Sequence, residues 1–176
     1  MAPTDAWGFS TTFSVLRDRG RWLQVIAASY LEGGPGSLDD KPVWVSRLAV
    51  RVSSTRYSIA ISLGAHRLWL NRGGHAIASW TVGVGAPWSP TPTGRFEVVE
   101  KIPGPRLGAA YGCCVIGLSV MQHHGPLAGG QVAIHGTNWP ASIGANVSNG
   151  CVHGYARMLH ELDARVPLGA PVTIRR

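Results

Sequence analysis

Tyr57-Ser58-Ile59-Ala60-Ile61-Ser62-Leu63 alternates large apolar side chains with small or polar ones, and it decides what the rest of the chain must join. A period of two is the period of a strand, so Ile59, Ile61 and Leu63 share one face and point to a core. Just downstream, Leu68-Trp69-Leu70 and the run from His75 to Val84 flank Asn71-Arg72-Gly73-Gly74, a hairpin-like turn. Phe96 to Val99 reads as a further strand after the turn Ser89-Pro90-Thr91-Pro92-Thr93-Gly94. Gln131-Val132-Ala133-Ile134-His135 is another, and it ends on a histidine. A Gly/Asn/Ser loop fills 136–150. Tyr155, Leu159, Leu162 and Val166 then fall at i, i+4, i+7 and i+11, which predicts one helix over about 154–165. Pro171 to Arg175 closes as a strand. The expected fold is mainly β: a mixed β-sandwich with one helix packed on it near the C-terminus.

Composition agrees. The 176 residues include 23 Gly and 12 Pro, which speaks against a helical bundle, since both residues interrupt helices. Charged residues are only 14% and apolar ones 45%, so the chain lacks the signature of disorder. No apolar run reaches the roughly 18–20 residues of a membrane helix. The start, Met1-Ala2-Pro3-Thr4-Asp5-Ala6-Trp7, shows no basic region followed by an apolar stretch, so no signal peptide is readable.

The net charge of +7 lies wholly in residues 51–176; residues 1–50 sum to zero. A basic domain suits an anionic partner. The halves also differ in pattern. In residues 1–50, Trp22-Leu23-Gln24-Val25-Ile26 and Val43-Trp44-Val45 read as short strands around the loop Gly33-Gly34-Pro35-Gly36-Ser37. This segment resembles an incomplete SH3-like module; an irregular extension packed on the main domain fits it equally. Residues 51–176 form the main domain.

The chemistry gathers around Cys151, in Ser148-Asn149-Gly150-Cys151-Val152-His153, with His135-Gly136-Thr137 upstream. A thiol becomes a nucleophile when something lowers its pKa or takes its proton. His135 sits at a strand end, where a fixed scaffold holds it. Cys151 lies three residues before the expected helix, whose N-terminus favours a thiolate. Gly150 leaves the backbone free beside the thiol, so the Gly150 and Cys151 amides are candidates for an oxyanion hole. These residues suit a cysteine acyltransferase or hydrolase.

The same block resembles the catalytic signature of the L,D-transpeptidase family (YkuD-type domain), which cross-links bacterial cell walls. That signature is His-Gly-Thr, a loop, then Ser-His-Gly-Cys, an apolar residue and Arg or Asn. Ile61 to Leu70 resembles the family's opening strand pair. Val82-Gly83-Val84-Gly85 and Thr91-Pro92-Thr93-Gly94-Arg95-Phe96 resemble its next strand and its Thr-Pro-Thr-Gly turn. Leu168 to Ile174 resembles its closing strand. The resemblance runs in order over about residues 56–176. It implies Cys151 as nucleophile, His135 as general base and Ser148 as a loop-shaping residue, with no metal and no cofactor. The implied reaction joins peptidoglycan stem peptides through a thioester, giving 3→3 cross-links, or L,D-carboxypeptidase action with water as acceptor. The implied setting is the bacterial cell envelope. Anionic wall polymer is a further candidate partner; nucleic acid is not. The resemblance also makes residues 103–130 a flap over the site, with Tyr111 a candidate substrate contact.

The pattern departs from the family at two places. Asn149 stands where the family has His, and Asn cannot titrate near neutrality. His153 stands where Arg or Asn is usual, so a permanent cation becomes a mostly neutral ring. Two other readings follow from the residues: a zinc site built from Cys151, His153 and His135 with His123 or His124, and a non-catalytic wall-binding relative. Trp139, in the loop before the nucleophile, and Trp88, in the Pro-rich turn, are candidate sugar or substrate platforms. Cys113 and Cys114 read as packing residues.

Overall fold

The computed structural model describes residues 4, 8, 10–26 and 42–176. Near the N-terminus, β1 (Val15–Arg19), β2 (Trp22–Ile26) and β3 (Pro42–Ser46) form an antiparallel meander of their own. The Gly33-Gly34-Pro35-Gly36-Ser37 loop of the expected SH3-like module lies outside the described residues. Residues 10–14 run onto the main domain. Ser14 N–H donates to Glu97 Oε2, and Ser14 Oγ donates to Gly169 O at 2.9 Å.

The main domain is built on one eight-stranded sheet. Its strands along the chain are β4 (Tyr57–Ser62), β5 (Arg67–Arg72), β6 (His75–Thr81), β8 (Gly94–Pro103), β9 (Cys114–Met121), β10 (Gln131–His135), β12 (Val152–His153) and β13 (Pro171–Arg175). In space they lie in the order β12-β10-β9-β8-β13-β4-β5-β6. The alternation at 57–63 does what it predicts: Ile59 and Ile61 are buried and pair with Leu70 and Leu68 of β5. Gly73 and Gly74 both take positive φ, 59° and 84°, which the tight β5–β6 turn requires. β13 runs parallel to β4 and antiparallel to β8, which closes the middle of the sheet. Two short strands, β7 (Val84–Gly85) and β11 (Asn146–Ser148), pair in parallel beside it.

The single α-helix among the described residues, α1 (Ala156–Arg165), packs on β9. Met158, Leu159 and Leu162 are fully buried, and Val166 follows them into the core. Tyr155 does not join this stripe. It precedes the helix with extended backbone and is 52% exposed. No helix among the described residues is long and apolar enough to cross a membrane.

One expectation is overturned. Residues 103–130 are not a continuous flap, because Cys114–Met121 is an interior strand with seven of its eight residues buried. A strand covered on both faces has no alternation to read. β9 itself forms a wall of the site through Val115 and Gly117, with Leu107, Tyr111, Leu127 and Ala128 on either side of it. The expected strand from His75 to Val84 is also broken, at Gly83. There the chain leaves β5 and exchanges two 2.9 Å backbone hydrogen bonds with His153. A Cβ at Gly83 would sit 2.2 Å from Ser142 O, so the close approach needs glycine.

Candidate active site

β10 and β12 run parallel at one edge of the sheet, with Ile134 opposite Val152 and His135 opposite His153. Alternation along each strand puts Ala133 and His135 on one face of β10, and Cys151 and His153 on the same face at β12. Cys151 is therefore beside Ala133 and one diagonal step from His135. Such diagonal neighbours lie about 7–8 Å apart, within reach of a thiol and an imidazole. The thiol packs against Ile102, Val115 and Ala133, with Tyr111 and Leu107 at its side. The His135 ring lies between Tyr111 and His153, at centroid distances of 4.8 and 4.9 Å. Among the described residues no hydrogen bond joins His135 to the thiol.

His135 Nδ1 is 2.6 Å from Gly136 O. A carbonyl only accepts, so Nδ1 carries the proton and Nε2 keeps the lone pair. Burial, with His153 alongside, lowers the His135 pKa to about 4, although the Gly136 carbonyl works the other way. Burial also lowers His153, whose Nδ1 is 3.0 Å from the buried Ser142 Oγ. Cys151 is pushed up by burial, partly offset by a hydrogen bond from the Ala133 backbone. The expected help from a helix N-terminus is absent from this balance. β12, Gly154 and Tyr155 stand between Cys151 and α1.

The turn before the thiol is held from two sides. Ser148 Oγ accepts from Gly150 N–H at 3.1 Å and donates to Cys151 O at 2.5 Å. The Gly150 amide, one of the two expected oxyanion donors, is thereby occupied. Below the turn, Gln122 Nε2 lies 3.0 Å from Asn149 O, 3.1 Å from Ser89 Oγ and 3.2 Å from Pro90 O. Ser89 Oγ in turn donates to His124 O at 3.0 Å. Gly150 has φ +110°, and a Cβ there would meet Gln122 Nε2 at 1.9 Å. Gln122 thus ties the turn before Cys151, the Pro-rich turn and the 122–130 segment together. No sequence pattern points to it; the demand for glycine at 150 is its only trace.

A cavity of about 480 Å³ opens at the thiol. Cys151, Asn149 and Tyr111 line one side, and Leu127 and Ala128 another. Its one acidic wall is Glu100, buried on β8, where it flanks Gly117 with Gln131. His135, itself buried, is not part of the lining and touches the Tyr111 ring that is. Trp139 and Trp88 are exposed and do not line the cavity. Among the described residues, Cys151, His153, His135, His123 and His124 supply no three ligand atoms that converge, so the residues of the zinc reading do not form a cage.

A profile of the YkuD family, described as the L,D-transpeptidase catalytic domain, matches residues 56–174. The chain belongs to this family. The YkuD protein of Bacillus subtilis, named as a candidate L,D-transpeptidase, is 38% identical over 120 residues, covering 68% of this chain and 66% of that one. Its Bacillus licheniformis counterpart is 37% identical over 118 residues, with coverage of 67% and 65%. This chain thus spans just under two-thirds of the length of these relatives. Among solved structures, an L,D-transpeptidase from Mycobacterium smegmatis superposes with a TM-score of 0.55 at 17% identity, covering 99% of this chain and 81% of that one. L,D-transpeptidase 3 from Mycobacterium tuberculosis, solved with a faropenem-derived adduct, gives 0.53 at 14% identity, over 98% and 80%. At such identities the likeness establishes the fold, which is that of the L,D-transpeptidases. The L,D-transpeptidase domain here keeps His135 and Cys151 on one sheet edge. It carries Asn149 exposed at the cavity rim and His153 half-buried against Ser142.

Proposed function

We propose that this domain is a peptidoglycan L,D-transpeptidase that works through a Cys151 thioester. The observation that carries the reading is the Nδ1–H bond of His135 to Gly136 O, which fixes the tautomer of a ring sharing a sheet face with Cys151. The thiol attacks the carbonyl that follows the diamino acid of a donor tetrapeptide. Nε2 of His135 takes the thiol proton, and the Cys151 amide faces the oxyanion. D-alanine leaves with that proton, and a thioester remains. The side-chain amine of an acceptor stem then attacks, giving the 3→3 cross-link and restoring the thiol. The substrate places this work in the bacterial cell envelope.

The resting pair is neutral. Moving a proton from an ordinary thiol of pKa about 8.5 to an imidazole of pKa about 4 costs roughly 6 kcal/mol before ion-pair attraction is counted, and burial of the thiol adds to it. Proton transfer therefore accompanies attack rather than preceding it. Asn149 suits such a site, since no preformed thiolate needs a cation beside it. In the cavity, Glu100 supplies a carboxylate for the ammonium of the diamino acid, and Tyr111 supplies an apolar face.

Incubation with a purified disaccharide tetrapeptide tests the reading, with products read by mass. A dimer lighter than two donors by one D-alanine and absent with Cys151→Ala is expected. Release of D-alanine without a dimer would assign L,D-carboxypeptidase action instead. No product under any acceptor would leave a wall-binding relative.

A further inference from the structure

Two of the three cysteines take no part in the acyl-transfer site. Cys113 and Cys114 stand at the start of β9, and α1 lies across that strand with His160 turned towards them. Sγ of Cys113, Sγ of Cys114 and a ring nitrogen of His160 all lie within 4.8 Å of one another. Cys114 Sγ is 3.9 Å from His160 Nδ1. No other trio of His, Cys, Asp or Glu converges in this way among the described residues.

These separations are close to those of a metal cage. With Zn–S near 2.3 Å and Zn–N near 2.0 Å, tetrahedral angles put S···N at about 3.5 Å and S···S at about 3.8 Å. The donors need close by no more than about 1 Å, which rotation of an exposed His160 side chain supplies. A disulfide is the poorer use of the pair: both cysteines are free thiols, and adjacent residues bridge only with backbone strain. One turn along α1 from His160, Asp163 acts on Cys114 electrostatically and pairs with Lys101 at 3.5 Å. Its carboxylate stands near the trio without belonging to the converging set.

We propose that Cys113, Cys114 and His160 form a binding site for a thiophilic divalent cation of the zinc class, with Asp163 or a water completing the tetrahedron. The charges balance: the cation displaces one proton from each thiol, His160 binds as the neutral ring, and two thiolates neutralise the two positive charges. Occupancy would clamp α1 to the start of β9, next to the turn that presents Tyr111.

The test is a cobalt(II) titration of the full chain carrying Cys151→Ala, which leaves only this pair of thiols. Expected are saturation at a single equivalent, a thiolate-to-cobalt charge-transfer band in the near ultraviolet, and tetrahedral visible bands, all displaced by zinc. His160→Ala changes an exposed side chain and spares the fold. It should weaken cobalt binding by at least roughly tenfold, since even outer-shell partners of metal ligands cost 10–100-fold. Cys113→Ser should abolish or strongly reduce the charge-transfer band. Absence of that band in the parent, or binding unchanged by both substitutions, would overturn the site.

Discussion

Gly150→Ala is the substitution whose consequence the geometry specifies most closely. The new Cβ would meet Gln122 Nε2 at 1.9 Å and Cδ at 2.8 Å, and the backbone there has φ +110°. The conformation costs an L-residue about 1–3 kcal/mol by itself. The steric part depends on Gln122, which is a side-chain end and can swing away. It is, however, held by Ser89, Pro90 and Asn149, and each hydrogen bond lost inside the fold costs about 1 kcal/mol. The sum is about 4–6 kcal/mol. Urea unfolding measures it, and a double-mutant cycle with Gln122→Ala separates the two parts. Gln122→Ala removes the clash, so Gly150→Ala should cost about 3 kcal/mol less in that background. A Gly150→Ala variant within about 1 kcal/mol of the parent, or equal costs in both backgrounds, would refute Gln122 as the support of the nucleophile turn.

Further outcomes follow from the buried titratable groups. His135 has a folded pKa of about 4 against an unfolded value near 6.5, so the unfolded chain binds the extra proton between these values. Stability should fall by about 3 kcal/mol as pH drops from 6.5 to 4, compared with His135→Gln, and acylation should lose its base only near pH 4. Glu97 is the opposite case: burial raises it to about 8, so its contribution is complete below 4.5 and is lost as pH rises through 8. Thermal melts between pH 6.5 and 8.5, where His135 no longer contributes, should fall for the parent and flatten for Glu97→Gln. Glu100→Gln should raise KM for the donor stem by roughly tenfold, in line with a lost charge-assisted hydrogen bond, and leave the rate of alkylation of Cys151 by iodoacetamide unchanged.

The parts of the fold that could be read from sequence are those with one wet face. β4 and β5 alternate because one side meets water, and Gly73-Gly74 marks the turn that follows them. β10 was visible as an apolar run ending on His135. β9 was not, because burial on both faces removes the period and leaves Cys113 and Cys114 looking like filler. β12 is two residues long, too short for any pattern, yet it separates Cys151 from α1 and brings His153 beside His135. Gly150 signalled backbone freedom, but the partner that demands it, Gln122, is 28 positions away and belongs to no motif. Long-range hydrogen bonding of that sort leaves no local trace.

The central claim is that the Cys151 thiol, with His135 as base, forms an acyl-enzyme. Intact-protein mass spectrometry after exposure to a carbapenem tests it directly, because the strained lactam carbonyl stands in for the donor amide. The account predicts a single adduct with the mass of the opened carbapenem, located on the peptide containing Cys151, missing in Cys151→Ala and formed roughly 10²–10⁴-fold more slowly in His135→Ala. Full modification of Cys151→Ala, or equal rates with and without the imidazole, would contradict it.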